Sequence, residues 1–150
     1  MISRFQLVPA AYVLILRDDQ VLLQLRANTG YMDDHWAAAA AGHVEAGESV
    51  FEAAIREARE ELGVTIDAAD LQPECAMHRT HGNSRAIDQR VDFFFSCRNW
   101  RGTPKLLETM AADLRWFELS ALPPNVVPHE RAVLDGLQEG PVPAIVTFGF

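Results

Sequence analysis

The segment 49–63 restricts the fold of this chain more than any other part of the sequence. Ser49 and Glu52 have the spacing of a capping box, which begins a helix, and Gly63 stands where a glycine commonly ends one. Four apolar residues recur at helical spacing between these signals: Phe51, Ile55, Ala58 and Leu62. The pattern predicts a helix over Ser49–Leu62 that places this apolar stripe against a core.

The segments around this helix predict several strands and one further helix. Strand patterns cover Val8–Arg17, Val21–Arg26, Leu71–Arg79, Arg90–Cys97 and Leu114–Leu119, and a second helix covers Pro128–Gln138. Strands and helices alternate irregularly, without a βαβ rhythm, which favours an α/β fold with a mixed sheet and helices packed on it. Because 150 residues suit one domain of ordinary size, we expect a single domain over residues 1–150.

Composition excludes several functional classes. The formal net charge is −8, and an acidic chain repels phosphate backbones, so we expect no binding of long nucleic acids. Two cysteines, Cys75 and Cys97, are too few for a disulfide framework and are expected to be buried free thiols in a reducing compartment. The apolar run from Val8 to Leu16 fits neither a signal peptide nor a membrane span. The sequence therefore predicts a cytoplasmic protein without membrane contact.

Three glutamates share one face of the predicted helix. Glu57, Glu60 and Glu61 are spaced i, i+3, i+4, and like charges at this spacing repel one another. A divalent cation would turn this repulsion into coordination, since Mg²⁺ and Mn²⁺ prefer carboxylate oxygens. The alternative is an ordinary solvated acidic surface, partly neutralised by Arg56 and Arg59. The glutamates alone leave both interpretations open.

The residues flanking the glutamates resemble the signature of the Nudix hydrolase family, Gx5Ex7REUxEExGU, in which U is a bulky aliphatic residue. All seven fixed positions are present at the correct spacing: Gly42, Glu48, Arg56, Glu57, Glu60, Glu61 and Gly63. Val64 fills the last U position, and Ala58 fills the first, where the family usually has a larger residue. The resemblance covers Gly42–Val64. A second departure precedes it, because an alanine run, Ala37–Ala41, replaces the Leu-Pro-x-Gly-like segment of many members.

The resemblance implies an α/β/α sandwich with a mixed sheet and a reaction in which water splits a nucleoside diphosphate linkage. It implies Mg²⁺ or Mn²⁺ as cofactor, with Glu57, Glu60 and Glu61 as ligands, and a backbone carbonyl from Gly42 near the metal. Glu57 also resembles the residue most often assigned as the base. By the same comparison Arg56 orients the glutamates, and Glu48 is its ionic partner.

Residues outside the motif add further candidates. Many Nudix enzymes supply another acidic metal ligand from a later loop, and Glu108 is the candidate here, with Asp113 and Glu118 as rivals. Four basic or imidazole side chains are candidates for substrate binding: His43 could reach the metal or a phosphate, and the others, Arg79, His81 and Arg90, could meet the phosphates or the base. The alternative for these four is an ordinary polar surface. Most of the aromatic residues are expected to pack in the core.

Marks of particular Nudix branches are missing downstream of the motif. The chain lacks the proline of ADP-ribose enzymes, the tyrosine of dinucleoside polyphosphate enzymes and the SQPWPFP-like array of NADH enzymes. By elimination it is most similar to the MutT-type group, whose small-molecule substrates are nucleoside triphosphates. Two alternatives stay open. One is a Nudix-fold module that senses a nucleotide without turnover, and the other is an interaction protein whose apolar tail, 141–150, covers the core or forms a homodimer contact.

Overall fold

The structure is a computed structural model that describes residues 3–150. The strands are β1 Val8–Arg17, β2 Gln20–Arg26, β3 Trp36–Ala38, β4 Ala40–His43, β5 Leu71–Arg79, β6 Arg90–Cys97, β7 Ala111–Glu118 and β8 Ile145–Phe148, and the helices are α1 Val50–Leu62 and α2 Pro128–Glu139. The strand order is β3-β2-β1-β6-β5-β8, with β4 beside β1 and β7 beside β2. Because β1–β6 and β5–β8 run parallel while the other pairs run antiparallel, the sheet is mixed. The predicted fold class is confirmed.

Strand β1 separates two apolar cores because successive side chains of a strand point to opposite faces. Ala11, Val13 and Ile15 pack with α1 on one face of the sheet. Tyr12 and Leu14 pack with α2 on the other face. The helices therefore cover opposite faces, which is the α/β/α arrangement that the motif implied.

Helix α1 begins and ends where the sequence predicts. Both hydrogen bonds of the capping box between Ser49 and Glu52 are present, and Gly63 ends the helix in the left-handed conformation at φ 72°. The predicted apolar stripe is partly wrong, since Phe51 is 37% exposed. The fully buried residues of the helix are small, apart from one leucine: Ala53, Ala54, Ala58 and Leu62. Small side chains let the helix lie close to the sheet, which leaves the larger Phe51 at the rim, against Phe95.

The alanine run forms two short strands that the sequence analysis did not predict. Ala37 and Ala38 belong to β3 and pair with β2, whereas Ala40 and Ala41 belong to β4 and pair with β1. Ala39, between them, is where the chain crosses from one neighbour to the other. The first four alanines are at most 3% exposed, and two of them pack in the same core as the alanines of α1. A strand that is buried on both faces has no alternation of apolar and polar residues, so periodicity does not distinguish it from a buried helical segment.

The apolar tail also contains a strand. Its residues Ile145–Phe148 form β8 and pair in parallel with Ala76–Arg79 of β5. Val146 and Phe148 pack against the core under α2. The tail therefore forms an edge strand beside β5, which accounts for the apolar character of Val146 and Phe148, whereas Ile145 and Phe150 are 69% and 77% exposed.

Two expectations concern residues away from the glutamates. Cys75 and Cys97 are both buried and free, as the sequence predicts. Among residues 3–150, no helix has the length and the apolar content that crossing a bilayer requires.

Candidate active site

Arg56 is the centre of an ion-pair cluster between α1 and the end of β4. Its guanidinium donates twice to Glu48, from Nη2 at 2.7 Å and from Nε at 3.1 Å. Nη1 donates to Glu57 at 2.7 Å and to Glu60 at 3.3 Å, and Nη2 also donates to the His43 carbonyl at 3.1 Å. Arginine has five N–H donors, so these contacts use its full capacity. Arg56 thereby fixes α1 to the end of β4 and lowers the pKa of Glu48 by hydrogen bonding.

The Glu57 carboxylate lies against the backbone of Gly42. A Cβ atom at position 42 would clash with both Glu57 carboxylate oxygens, since it would lie 2.8 Å from Oε2 and closer still to Oε1. Any larger residue would displace the carboxylate, so the motif glycine makes room for the motif glutamate. Burial raises the pKa of Glu57, and the hydrogen bond and charge of Arg56 oppose this rise.

Glu61 is held by the alanine segment. Its Oε2 accepts a hydrogen bond of 2.7 Å from the Ala41 backbone N–H. Burial raises the pKa of Glu61 to about 8, the Ala41 N–H opposes the rise, and the charges of Glu57 and Glu108 add to it. Three carboxylates thus influence one another at this place.

Glu108 reaches the site because its loop docks onto the end of α1. Leu107 N–H donates to the Glu61 carbonyl and Lys105 N–H donates to the Leu62 carbonyl, both at 3.1 Å. Glu57, Glu61 and Glu108 line one cavity of about 240 Å³. The rivals Asp113 and Glu118 do not line it; they hydrogen bond instead to Arg115 and Gln20.

Glu60 takes a different position. Its side chain is 51% exposed, bonds to Arg56 and does not line the cavity with Glu57 and Glu61. In residues 3–150, no three His, Cys, Asp or Glu side chains already stand close enough to share a cation. The donor chemistry nevertheless fits Mg²⁺ or Mn²⁺, because oxygen ligands face one cavity and their charges repel.

A larger cavity of about 890 Å³ adjoins the first. His43, Arg79, His81 and Arg90, the four predicted substrate contacts, all line it. The two cavities share five lining residues: Gln24, Arg26, Thr29, Ala41 and Glu61. A ligand in the larger cavity could therefore extend to the carboxylates of the smaller one.

The floor of the larger cavity is a polar network that is buried except at His81. Arg79 Nε donates to Asp92 at 2.7 Å, and Arg79 Nη1 lies 2.9 Å from His81 Nε2. The His129 ring lies 3.8 Å from Asp92 and 3.1 Å from the Tyr12 hydroxyl. Burial lowers the pKa of His129 to about 2, and the nearby arginines add to this effect. The histidine is therefore neutral near pH 7.

The buried carboxyl of Glu130 also lines the larger cavity. It is 3% exposed, and its Oε1 accepts a 2.6 Å hydrogen bond from the Ala38 N–H. Burial raises the pKa of Glu130 to about 7, against the lowering effect of that hydrogen bond.

Of the residues of this polar floor, the sequence predicted only Arg79 and His81 as site residues, although two signals indicated others. Asp92 is the one charged residue within the apolar part of β6, and a charge inside a buried strand marks an unusual environment. Glu130 precedes Val133 and Leu134 by three and four residues, so helical spacing puts it on the buried face of α2. A charged residue on an apolar stripe is the pattern that would have identified it.

Comparison with known proteins decides the family. The NUDIX domain family matches residues 6–137, most of the chain. The chain belongs to the Nudix family. The motif-based expectation of a Nudix pyrophosphohydrolase is thereby confirmed at the level of the family, whose hydrolases act on nucleoside diphosphate-linked substrates and generally use divalent metal ions.

Individual Nudix relatives agree with this assignment. The NAD-capped RNA hydrolase NudC of Pseudomonas aeruginosa is 32% identical over 128 residues, which cover 85% of this chain and 41% of that protein. The chain thus spans less than half the length of this relative. The MutT NUDIX hydrolase of Burkholderia pseudomallei superposes with a TM-score of 0.76 at 25% identity, over 87% of this chain and 97% of its own. A MutT protein of Bacillus halodurans shares the fold, with a TM-score of 0.74 at 20% identity over 94% and 88% of the two chains.

Proposed function

We propose that this chain hydrolyses nucleoside triphosphate-type substrates at the diphosphate, with Mg²⁺ or Mn²⁺ as cofactor. The observation that carries the proposal is the pair of adjoining cavities. The smaller one presents Glu57, Glu61 and Glu108, and the larger one has the volume of a small-molecule site and is lined by arginines and histidines. Such a pair can hold a diphosphate at the carboxylates and the rest of a nucleotide beside it.

The residues divide the work of the reaction. Glu57, Glu61 and Glu108 would hold the cation, which neutralises charge on the phosphate oxygens when bound. Glu57 takes the proton from the attacking water. Arg56, with Glu48, positions the Glu57 carboxylate. Among the lining residues of the larger cavity, His43, Arg79, His81 and Arg90 contact the rest of the substrate.

A dinucleotide substrate is a second candidate. The 32% identity to a hydrolase of NAD-capped RNA favours it, although the SQPWPFP-like array is missing from this chain. Incubation with Mg²⁺ and a panel of nucleoside triphosphates and NAD separates the candidates. Pyrophosphate with a nucleoside monophosphate supports the first, and two mononucleotides from NAD support the second. Binding without any product would identify a nucleotide sensor.

Activity is expected to require a divalent cation. Excess chelator should abolish turnover, and Mg²⁺ or Mn²⁺ should restore it. Ca²⁺ should support turnover poorly, because it accepts looser and higher coordination than the tight octahedron that Mg²⁺ demands. Product release measured across metal concentrations checks this expectation. Full turnover in excess chelator would exclude a metal role for the carboxylates.

Gly42→Ala is expected to lower kcat by about 10²-fold, the scale of a displacement of roughly 1 Å in a catalytic group. The new methyl group would collide with the Glu57 carboxylate, which is the flexible end of a side chain and can move aside. The melting temperature should therefore change little while turnover falls.

Gly47→Ala provides the matched control. Gly47 has φ 87° and open space around its Cα, so alanine there should cost about 1 kcal/mol of stability through backbone strain while turnover is retained. If Gly42→Ala keeps normal turnover, the position of the Glu57 carboxylate is not critical.

A further inference from the structure

The alanine segment Ala37–Ala41 is held by two glutamates from opposite helices. Glu130, on α2, accepts the Ala38 N–H at 2.6 Å, and Glu61, on α1, accepts the Ala41 N–H at 2.7 Å. The same short segment thus connects a carboxyl in the larger cavity with a carboxyl of the cation-binding cavity.

A third contact lies between these two. Gln24, on β2, donates from Nε2 to the Ala38 carbonyl at 3.1 Å and lines both cavities. Ala38 is therefore held through its N–H by Glu130 and through its carbonyl by Gln24. Only Ala39 and Ala40 separate it from Ala41, and both are fully buried.

The alanine segment has little room to adjust when Ala38 is displaced. Ala39 and Ala40 lie in the same buried core as the alanines of α1, and close-packed interiors transmit displacements of the backbone. Alanine has no side-chain rotamers that could rearrange in response. A movement of Ala38 would consequently reach the Ala41 N–H that orients Glu61.

From this geometry we infer that Glu130 is a positioning residue, which holds the alanine segment so that the Ala41 N–H fixes the Glu61 carboxylate for cation binding. The inference rests on the proposed function, because it assigns Glu61 to the cation. It gives α2, which carries none of the motif residues, a part in building the cation site.

Mn²⁺ binding followed by electron paramagnetic resonance, without substrate, tests the inference. Glu130→Ala should raise the dissociation constant for Mn²⁺ about tenfold, the lower end of the range for residues that support metal ligands. Glu130→Gln should stay within about twofold of the unmodified chain, because its amide oxygen can still accept the Ala38 N–H. Glu139→Ala, an exposed change on the same helix, should have no effect.

Amide hydrogen exchange in the metal-free protein supplies a second readout. In Glu130→Ala, exchange should accelerate at Ala41 as well as at Ala38. Glu130→Met, which fills a similar space without a carboxylate acceptor for the Ala38 N–H, should also accelerate exchange at Ala41 and weaken Mn²⁺ binding. This variant keeps the test available if Glu130→Ala does not fold.

Several results would overturn the inference. Faster exchange at Ala38 alone, with unchanged Mn²⁺ affinity, would mean that Glu130 only stabilises its surroundings. A raised KM in both Glu130→Ala and Glu130→Gln, with unchanged Mn²⁺ affinity, would mean that Glu130 touches the substrate. If the unmodified chain binds no Mn²⁺, the proposed function fails and the inference fails with it. Tight binding that Glu130→Ala leaves unchanged overturns the inference alone.

Discussion

Glu57→Gln and Glu61→Gln are each expected to lower kcat by about 10²-fold or more, the scale for loss of a general base or of a metal clamp. Glutamine keeps the size of the side chain and removes its charge. Both carboxylates line the smaller cavity, where the charge of Glu57 raises the pKa of Glu61. Because removing either charge relieves this repulsion, the fold should survive either change. Steady-state turnover and thermal denaturation of each variant measure these effects.

The two variants should differ in their response to Mg²⁺. Raising the Mg²⁺ concentration should partly restore the turnover of Glu61→Gln, because Glu61 is proposed mainly as a ligand. It should not restore the turnover of Glu57→Gln, because Glu57 is proposed as the base. Glu52→Gln is the control on the same helix, because glutamine also satisfies a capping box. Near-normal turnover by both site variants would mean that neither carboxylate acts in the reaction, and the proposed roles of Glu57 and Glu61 would be wrong.

Arg56→Ala is expected to reduce both stability and turnover. It removes all five hydrogen bonds of the guanidinium and leaves Glu48 and Glu57, which are 15% and 13% exposed, without their cation. Leaving partly buried carboxylates unpaired should cost about 2–3 kcal/mol, a fall of roughly 5–10 °C in Tm for a chain of this size. Turnover should fall by about tenfold or more, because Glu57 loses its positioning partner.

Two comparison variants sharpen this result. Arg56→Lys keeps the charge but cannot donate to Glu48 through two nitrogens at once, so it should lie between Ala and the unmodified chain. Arg59→Ala removes an exposed arginine of the same helix and should change little. An unchanged Tm with lost turnover in Arg56→Ala would mean that Arg56 takes part in the chemistry and does not act by holding Glu48 and Glu57 in place.

The sequence was sufficient for elements whose signals are local. Helix α1 carries its start signal at Ser49, its stop signal at Gly63 and the whole motif within a short stretch, so neither its bounds nor the family required tertiary information. The strands rich in β-branched and aromatic residues, such as Arg90–Cys97, were predicted with their observed bounds for the same reason.

The remaining features depend on contacts between distant parts of the chain. Phe51 fits the apolar period of α1, but the close approach of the helix to the alanine strands leaves it at the rim. Glu130 acquires its role only because α2 packs where the Ala38 N–H is free to meet it. The alanine segment has no period, and its strands exist because β1 and β2 offer it partners. Such features follow from packing, which a local pattern does not encode.

The alanine layer between β4 and α1 also limits how this chain can diverge. Ala39, Ala40, Ala53, Ala54 and Ala58 are all 0% exposed, and an added methylene group has little space in a close-packed interior. Overpacking a filled core costs about 1–3 kcal/mol per substitution, a large share of the stability of an ordinary domain. By contrast, residues at the rim of the larger cavity, such as Arg85 and Ile87, are exposed and can be exchanged at little cost. Mutational drift in this protein should therefore alter the substrates it accepts more readily than the spacing between helix and sheet.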